Sequence, residues 1–191
     1  MLSVTCNNFG NFGRQKVTLF KKMPRRYFKR HFNRDKYSVE QTAIVSPAIS
    51  GWSLIEGTEG QTQSSLQWVT TVVPPSDENG MRKVKHLTIS LTNSTSDTLV
   101  LFYALVFVPE GYTPLPIRVP TAGSGTYMYA SNQFVMSSGV IDFGAGPNRI
   151  RTPLSRNLNS GDRIFLIMAT NTTAAAASQV LAQVTYAITL Q

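Results

Sequence analysis

The sequence predicts an all-β fold, an eight-stranded antiparallel jelly roll of the β-sandwich type that follows a basic N-terminal arm. Three observations lead to this prediction. Short runs of alternating apolar and polar residues recur after residue 37, no strong amphipathic helical pattern occurs, and positive charge is concentrated near the N-terminus. Strands without helices to cross between them are typical of antiparallel sandwiches and barrels. We therefore divide the chain into an arm, residues 1–36, and a jelly-roll domain, residues 37–191.

Alternation and residue type define the strands. Leu87, Ile89 and Leu91 alternate with polar residues, the period of a half-buried strand. Residues 99–108 are apolar on both faces and rich in β-branched and aromatic residues, which favours a strand buried on both sides. We expect a hairpin over 84–108 to form the centre of the core. The predicted strands are 39–45, 66–73, 84–92, 98–108, 133–137, 139–143, 163–170 and 179–190.

Glycine, proline and small polar residues define the connections. Residues 46–65, 109–126, 144–162 and 171–178 are predicted to be irregular, with a tight turn near Asn79-Gly80. Trp52 lies in the first of these loops, where burial against a neighbouring subunit is our hypothesis. The other large aromatic residues are expected to be core or subunit-contact residues: Trp68, Phe102, Tyr103, Phe107 and Phe165.

Catalytic and metal-binding patterns are nearly absent from the sequence, so we predict neither an enzyme nor a cofactor or metal site. His86 is expected on the polar face of a strand as a structural residue, and Cys6 has no second cysteine to pair with. The longest apolar run, residues 99–108, is shorter than the roughly 20 residues that a membrane-spanning helix needs, so membrane insertion is not expected.

Charge separates the arm from the body. Residues 1–36 contain ten Lys and Arg and one acid, Asp35, whereas residues 37–191 contain eight Lys and Arg and nine Asp and Glu. The arm therefore holds all of the net charge of +8. Such asymmetry indicates a polyanionic partner.

We predict that the arm binds single-stranded nucleic acid. Lysine and arginine neutralise phosphates, and the interleaved aromatic rings can stack on unpaired bases. The predicted binding residues are Arg14, Lys16, Lys21, Lys22, Arg25, Arg26, Tyr27, Phe28, Lys29, Arg30, Phe32, Arg34 and Lys36. The same segment is typical of a nuclear import signal, which would make a host import receptor a further partner. Association with an anionic membrane or a solubilising role are the alternatives.

A second, looser basic cluster consists of Arg149, Arg151, Arg156 and Arg163. We interpret it as surface charge that the acids of the body balance. An auxiliary contact to the packaged nucleic acid is the alternative.

Two local sequences carry a family resemblance, MRKVKHLTISL at residues 81–91 and LVFVPEGYTPLPI at residues 105–117. With the arm, the eight strands and the long loops, they resemble the single-jelly-roll capsid proteins of circular Rep-encoding single-stranded DNA (CRESS-DNA, circovirus-like) viruses. The resemblance implies a structural protein of the virion. About sixty copies would form an icosahedral shell with the arms on the genome, after assembly in the host cell nucleus.

The resemblance also implies that one set of loops gathers around the fivefold axis, namely 47–65, 93–97, the turn at 138 and 171–178. The chain departs from the family in one respect: thirteen uncharged residues precede the first arginine, Arg14. The role of residues 1–13 therefore stays open.

Two alternative functions remain. Capsid proteins of small positive-strand RNA viruses and satellites have a similar plan, and the sequence does not distinguish DNA from RNA. A non-viral jelly-roll binding module, such as a lectin or a cytokine-like domain, would need a secretory route. Residues 1–13 lack the charged n-region and apolar run of a signal peptide, which argues against that reading.

Overall fold

The computed structural model describes residues 37–55, 65–77, 80–95, 98–118, 134–145, 148–170 and 177–190. Within these segments the regular structure is almost entirely β. The strands are β1 Ser38–Val45, β2 Ser53–Ile55, β3 Ser65–Val73, β4 Arg82–Asn93, β5 Val100–Val108, β6 Phe134–Asp142, β7 Asn148–Arg151, β8 Arg156–Leu158, β9 Arg163–Thr170 and β10 Val180–Leu190. Two 3₁₀ turns, Ile49–Gly51 and Phe143–Ala145, complete the elements.

The strands form two antiparallel five-stranded sheets. The first sheet has the order β1-β10-β4-β7, with β8 also paired to β4, and the second has the order β2-β3-β9-β5-β6. β7 and β8 lie one after the other along β4, so they occupy a single strand position. Without the short edge strand β2, the described part of the chain therefore has eight strand positions.

The strands pair in a nested order, from the two ends of the chain toward its middle. The first position pairs with the eighth (β1 with β10), the second with the seventh (β3 with β9), the third with the sixth (β4 with β7) and the fourth with the fifth (β5 with β6). A long antiparallel hairpin that is rolled into two packed sheets has this order, which defines the jelly roll. The fold class expected from the sequence is confirmed.

The main core lies between the sheets and draws on both. From the first sheet it contains Leu87, Ile89 and Leu91, which are at most 1% exposed, and from the second sheet it contains Leu105 and Leu166. The alternation in β4 and β10 therefore matches burial on one face, as the sequence predicted. The aromatic residues named above are all at least partly buried against a core cluster.

A smaller apolar cluster covers the outer face of the second sheet. Ala104, Val106, Ile167 and Ala169 project from β5 and β9, and Ile117 from the proline-rich connection lies on them. Ile117 is 1% exposed because this connection folds back over the sheet. This second covered face explains why β5 and the central part of β9 are apolar on both sides.

Four predictions about individual elements were wrong. β4 and β5 do not form a hairpin, because β4 pairs with β10 while β5 pairs with β9 in the other sheet. Residues 133–137 and 139–143 form the single strand β6, and no turn interrupts it at residue 138. The predicted loops 46–65 and 144–162 contain β2 in one case and β7 and β8 in the other.

Four described connections meet at one end of the sandwich. The Ile49 N–H donates to the Ser178 carbonyl oxygen at 3.0 Å, and the Ser94 N–H donates to the Gln179 carbonyl oxygen at 2.9 Å. The Phe143 N–H donates to the Leu99 carbonyl oxygen at 3.0 Å, so the segment after β6 belongs to the same end. The described parts of the predicted loops 47–65, 93–97 and 171–178 therefore lie together, and residues 143–145 take the place expected for residue 138. The position of these loops at a fivefold axis stays a prediction.

Candidate nucleic-acid interface

The residues that the sequence predicts to bind nucleic acid all lie between Arg14 and Lys36, outside the described residues. The assignment of the arm and of its boundary at residue 36 stays a prediction. The described part begins at Tyr37, the residue that directly follows the arm. A candidate interface in the body therefore has to be identified from the charges on the two sheets.

A β-bulge at His86 reverses the direction of the side chains along β4. His86 has a φ of 55°, in the left-handed region where histidine is among the better tolerated residues. Lys85 pairs with Ala187 and Thr88 pairs with Thr185, so β4 has one residue more than β10 over this stretch. Simple alternation would put Lys83 and Lys85 on the same side as Leu87, in the core. The bulge turns them outward instead.

The outer face of the first sheet consequently carries four cations. Arg149 pairs with Ser90 and Arg151 pairs with Thr88, so both arginines project on the same side as Thr88 and Ser90. Both are exposed, and Lys83 and Lys85 farther along β4 are half-buried. We call this set, Lys83, Lys85, Arg149 and Arg151, the basic face.

The neighbouring outward positions are small, polar or apolar. They are Val39, Gln41, Ala43 and Val45 on β1, Leu181, Gln183, Thr185, Ala187 and Thr189 on β10, Thr88, Ser90 and Thr92 on β4, and Asn157 on β8. Within the described strands of this sheet, no outward position holds an Asp or a Glu. Among the described strands of this sheet, the positive charge of the basic face is therefore not balanced by a carboxylate on the same side.

Tyr37 lies against the basic face. The Lys85 ammonium is 4.5 Å from the centroid of the Tyr37 ring and also donates a hydrogen bond to the Tyr37 hydroxyl. Since Tyr37 directly follows Lys36, the covalent chain enters the described body beside these cations. The position of Tyr37 could not be inferred from the sequence, because it depends on the pairing of β1 with β10.

The second basic cluster of the sequence is not one surface. Arg156 pairs with Val84 at an inward position and stacks on two rings, with its guanidinium carbon 4.6 Å from the centroids of both Phe107 and Phe134. Arg163 pairs with Val108 in the second sheet. The predicted grouping of four arginines was therefore wrong, and only Arg149 and Arg151 share a face.

Trp52 is a core residue of its own chain. It is 5% exposed, its ring stacks on Trp68 with a centroid separation of 6.2 Å, and its Nε1 donates to the Pro47 carbonyl oxygen at 3.1 Å. The hypothesis of burial against a neighbouring subunit was wrong. Beside this pair lies an open cavity of about 350 Å³, between Ile55, Trp68 and the proline-rich connection at Pro114 and Pro116.

The described residues contain no group of three or more His, Cys, Asp or Glu that could hold a metal ion. No helix in the described segments has the length and apolar character that crossing a membrane requires. His86 is exposed, as expected, and its left-handed backbone conformation forms the bulge in β4.

Tyr186 is the one described residue with a clearly shifted pKa, and it lies in the core opposite Glu40. Burial raises the pKa of its phenol above 10, the Glu40 carboxylate raises it further, and the Arg82 guanidinium lowers it. Arg82 is itself 7% exposed and donates from its terminal nitrogen to the Pro74 carbonyl oxygen at 3.0 Å. The three groups belong to β10, β1 and β4, toward the end opposite the loop cluster.

Because the pKa of Tyr186 is higher in the folded state, folding favours the neutral phenol. We expect its contribution to stability to be complete below pH about 10, the unfolded pKa of tyrosine, and to be lost as the pH rises above it. Urea unfolding of the wild type and Tyr186→Phe between pH 8 and 11 tests this. The slope of the free energy of unfolding against pH should differ between the two proteins by no more than the effect of one proton, about 1.4 kcal/mol per pH unit. Parallel curves would contradict the assignment.

Fold and surface together define a jelly-roll protein with a basic sheet face. No protein-family model matches the chain, and no curated protein matches it. Among solved structures, the chain is similar to a chain of the Israeli acute paralysis virus full particle heated to 63 degrees. The identity is 11%, the TM-score is 0.34, and the alignment covers 82% of this chain and 74% of that chain. The jelly-roll assignment itself rests on the strand order of this chain.

Proposed function

We propose that this protein is a structural capsid protein that assembles into a small icosahedral shell and packages a single-stranded genome, DNA in our proposal, through its basic arm. The observation that carries the proposal is the separation of charge: an arm with ten Lys and Arg and one acid precedes a body with eight Lys and Arg and nine acids. A nearly neutral body can pack against copies of itself without strong mutual repulsion. The arm supplies the charge that a polyanion requires.

The jelly roll supports the proposal because viral capsid proteins are among the groups that use this architecture, as are lectins and cupins. The described surface also offers apolar side chains for contacts between subunits. Val39, Leu54, Phe134 and Val140 are each more than half exposed, on strands of both sheets. The proposal places the finished protein in the virion and, during assembly, in the host nucleus, with the arm as import signal.

Neutralising the arm tests the proposal without changing the length of the chain. In the test variant, the ten Lys and Arg between Arg14 and Lys36 are replaced by Gln. We expect this variant to lose packaged nucleic acid, measured by the absorbance ratio at 260 and 280 nm and by nuclease protection of purified particles. Its β domain should unfold at the same urea concentration as the wild type, because every strand of the two described sheets lies after residue 37.

A matched arm variant keeps every charge and replaces Tyr27, Phe28 and Phe32 by Leu. It should still bind nucleic acid but lose part of its preference for single strands, because stacking contributes about 1–3 kcal/mol per base. Digestion of the extracted nucleic acid with DNase and with RNase identifies the genome type. If the ten-Gln variant packages as much nucleic acid as the wild type, the proposed role of the arm is wrong.

A further inference from the structure

We infer that the basic face is a second binding surface for single-stranded nucleic acid, in addition to the one proposed for the arm. The inference rests on the proposed function, since it names a further contact for the same polyanion. It concerns Lys83, Lys85, Arg149 and Arg151, which the sequence assigns to two unrelated segments. Only the pairing of β4 with β7 brings the two segments together.

The first argument is the distribution of charge in the body. Of the eight Lys and Arg after residue 36, Arg82 and Arg156 point inward, and four of the remaining six lie on this one face. No outward position of the described strands in this sheet holds an acid. A body with almost no net charge thus presents a local positive surface, which attracts phosphates over about one Debye length of 8–10 Å.

The second argument is geometry. Arg149 and Arg151 are two residues apart on one strand, so their Cα atoms are separated by about 6.6 Å along it. Lys83 and Lys85 repeat this spacing on β4. Between and beside the cations lie Thr88, Ser90 and Gln183, whose side chains can donate hydrogen bonds to phosphate or sugar oxygens. The four cations therefore lie as two pairs on the neighbouring strands β4 and β7, close to polar side chains.

The third argument is the position of Tyr37. Tyr37 directly follows the arm in sequence and contacts Lys85, so the described body begins beside the basic face. The structure therefore assigns to the bulge at His86 a functional consequence: it puts two lysines on the nucleic-acid side of the sheet.

The experiment compares two matched double variants in the full chain. Arg149→Gln/Arg151→Gln removes two arginines from the basic face, and Arg118→Gln/Arg163→Gln removes two exposed arginines elsewhere. Affinity for a fluorescent oligothymidine is measured by anisotropy over a series of salt concentrations. For single strands, the logarithm of the affinity falls with the logarithm of the salt concentration by about 0.7 per phosphate contact. The first variant should therefore make this slope shallower by about 1.4, and the second should leave it unchanged. At 0.1 M salt this change in slope corresponds to about 25-fold weaker binding, relative to equal affinity at 1 M salt.

The outcomes separate the two proposals. If the two double variants have equal slopes, or if Arg149→Gln/Arg151→Gln changes particle assembly and not binding, the basic face is not a nucleic-acid surface. In either case the ten-Gln arm variant still decides the proposed function. If the arm variant packages normally while the basic-face variant loses slope, the proposed role of the arm is wrong and the body is the binding surface. Equal thermal unfolding temperatures exclude misfolding as the cause.

Discussion

Trp52→Ala should destabilise the unassembled chain by about 3–5 kcal/mol, the usual cost of truncating a large buried aromatic residue. Trp52 is 5% exposed, stacks on Trp68 and bonds to the Pro47 carbonyl oxygen, so the substitution removes packing and one hydrogen bond together. It also releases the segment around Ile49, which is fully buried. Equilibrium urea unfolding measures the loss, with the fluorescence of the remaining Trp68 as the signal.

The control for this prediction lies two residues further along. Leu54 is 62% exposed on β2, so Leu54→Ala should change the free energy of unfolding by no more than about 0.5 kcal/mol. The contrast distinguishes a core residue from a subunit contact. If Trp52→Ala leaves unfolding of the single chain unchanged and weakens particle assembly, the original hypothesis of a contact with a neighbouring subunit is right.

Gln67→Ala should release the proline-rich connection from the outer face of the second sheet. The Gln67 side chain is 3% exposed and accepts the Ile117 N–H at 3.0 Å while its amide nitrogen donates to the Ile117 carbonyl oxygen. Without it, two buried backbone groups lose their partners, at about 1–3 kcal/mol each. We expect a loss of about 2–6 kcal/mol, or local detachment of residues 112–118 with a smaller loss.

Hydrogen exchange distinguishes these two results, because detachment exposes the Ile117 amide without global unfolding. Limited proteolysis should then cut within residues 112–118. Gln183→Ala is the matched control, since Gln183 is the same residue type at an exposed outward position of β10. It should change stability by less than about 0.5 kcal/mol. Unchanged protection at Ile117 in Gln67→Ala would show that apolar packing alone holds the connection.

Most strands were predictable because the order of apolar and polar residues along them matches which side chains are buried. β10 alternates cleanly, and its inward residues Val180, Ala182 and Val184 are fully buried. β5 is apolar throughout because both of its faces are covered. In such segments the local pattern and the tertiary environment agree, so the alternation of residues is sufficient to identify the strand.

Other elements depend on pairing that no local pattern contains. Ser138 and Gly139 resemble a turn, yet they pair with Ala104 and Tyr103 on β5, and the ladder bonds keep β6 continuous. β7 and β8 are short and polar, and they are strands only because β4 offers them an edge. Trp52 was misplaced for the same reason, since a loop rich in glycine and serine gives no sign of folding back onto the core.

By itself, the amino-acid sequence determined the all-β class, most strand positions and the concentration of positive charge before residue 37, since these follow from composition and a period of two. Only the tertiary structure decided which cations share a surface. One additional residue at His86 reverses the faces of β4, and the antiparallel register then aligns Arg149 and Arg151 with Ser90 and Thr88. The physical reason is that a one-residue shift in a strand exchanges its two faces, and a shift of this kind depends on the partner strand.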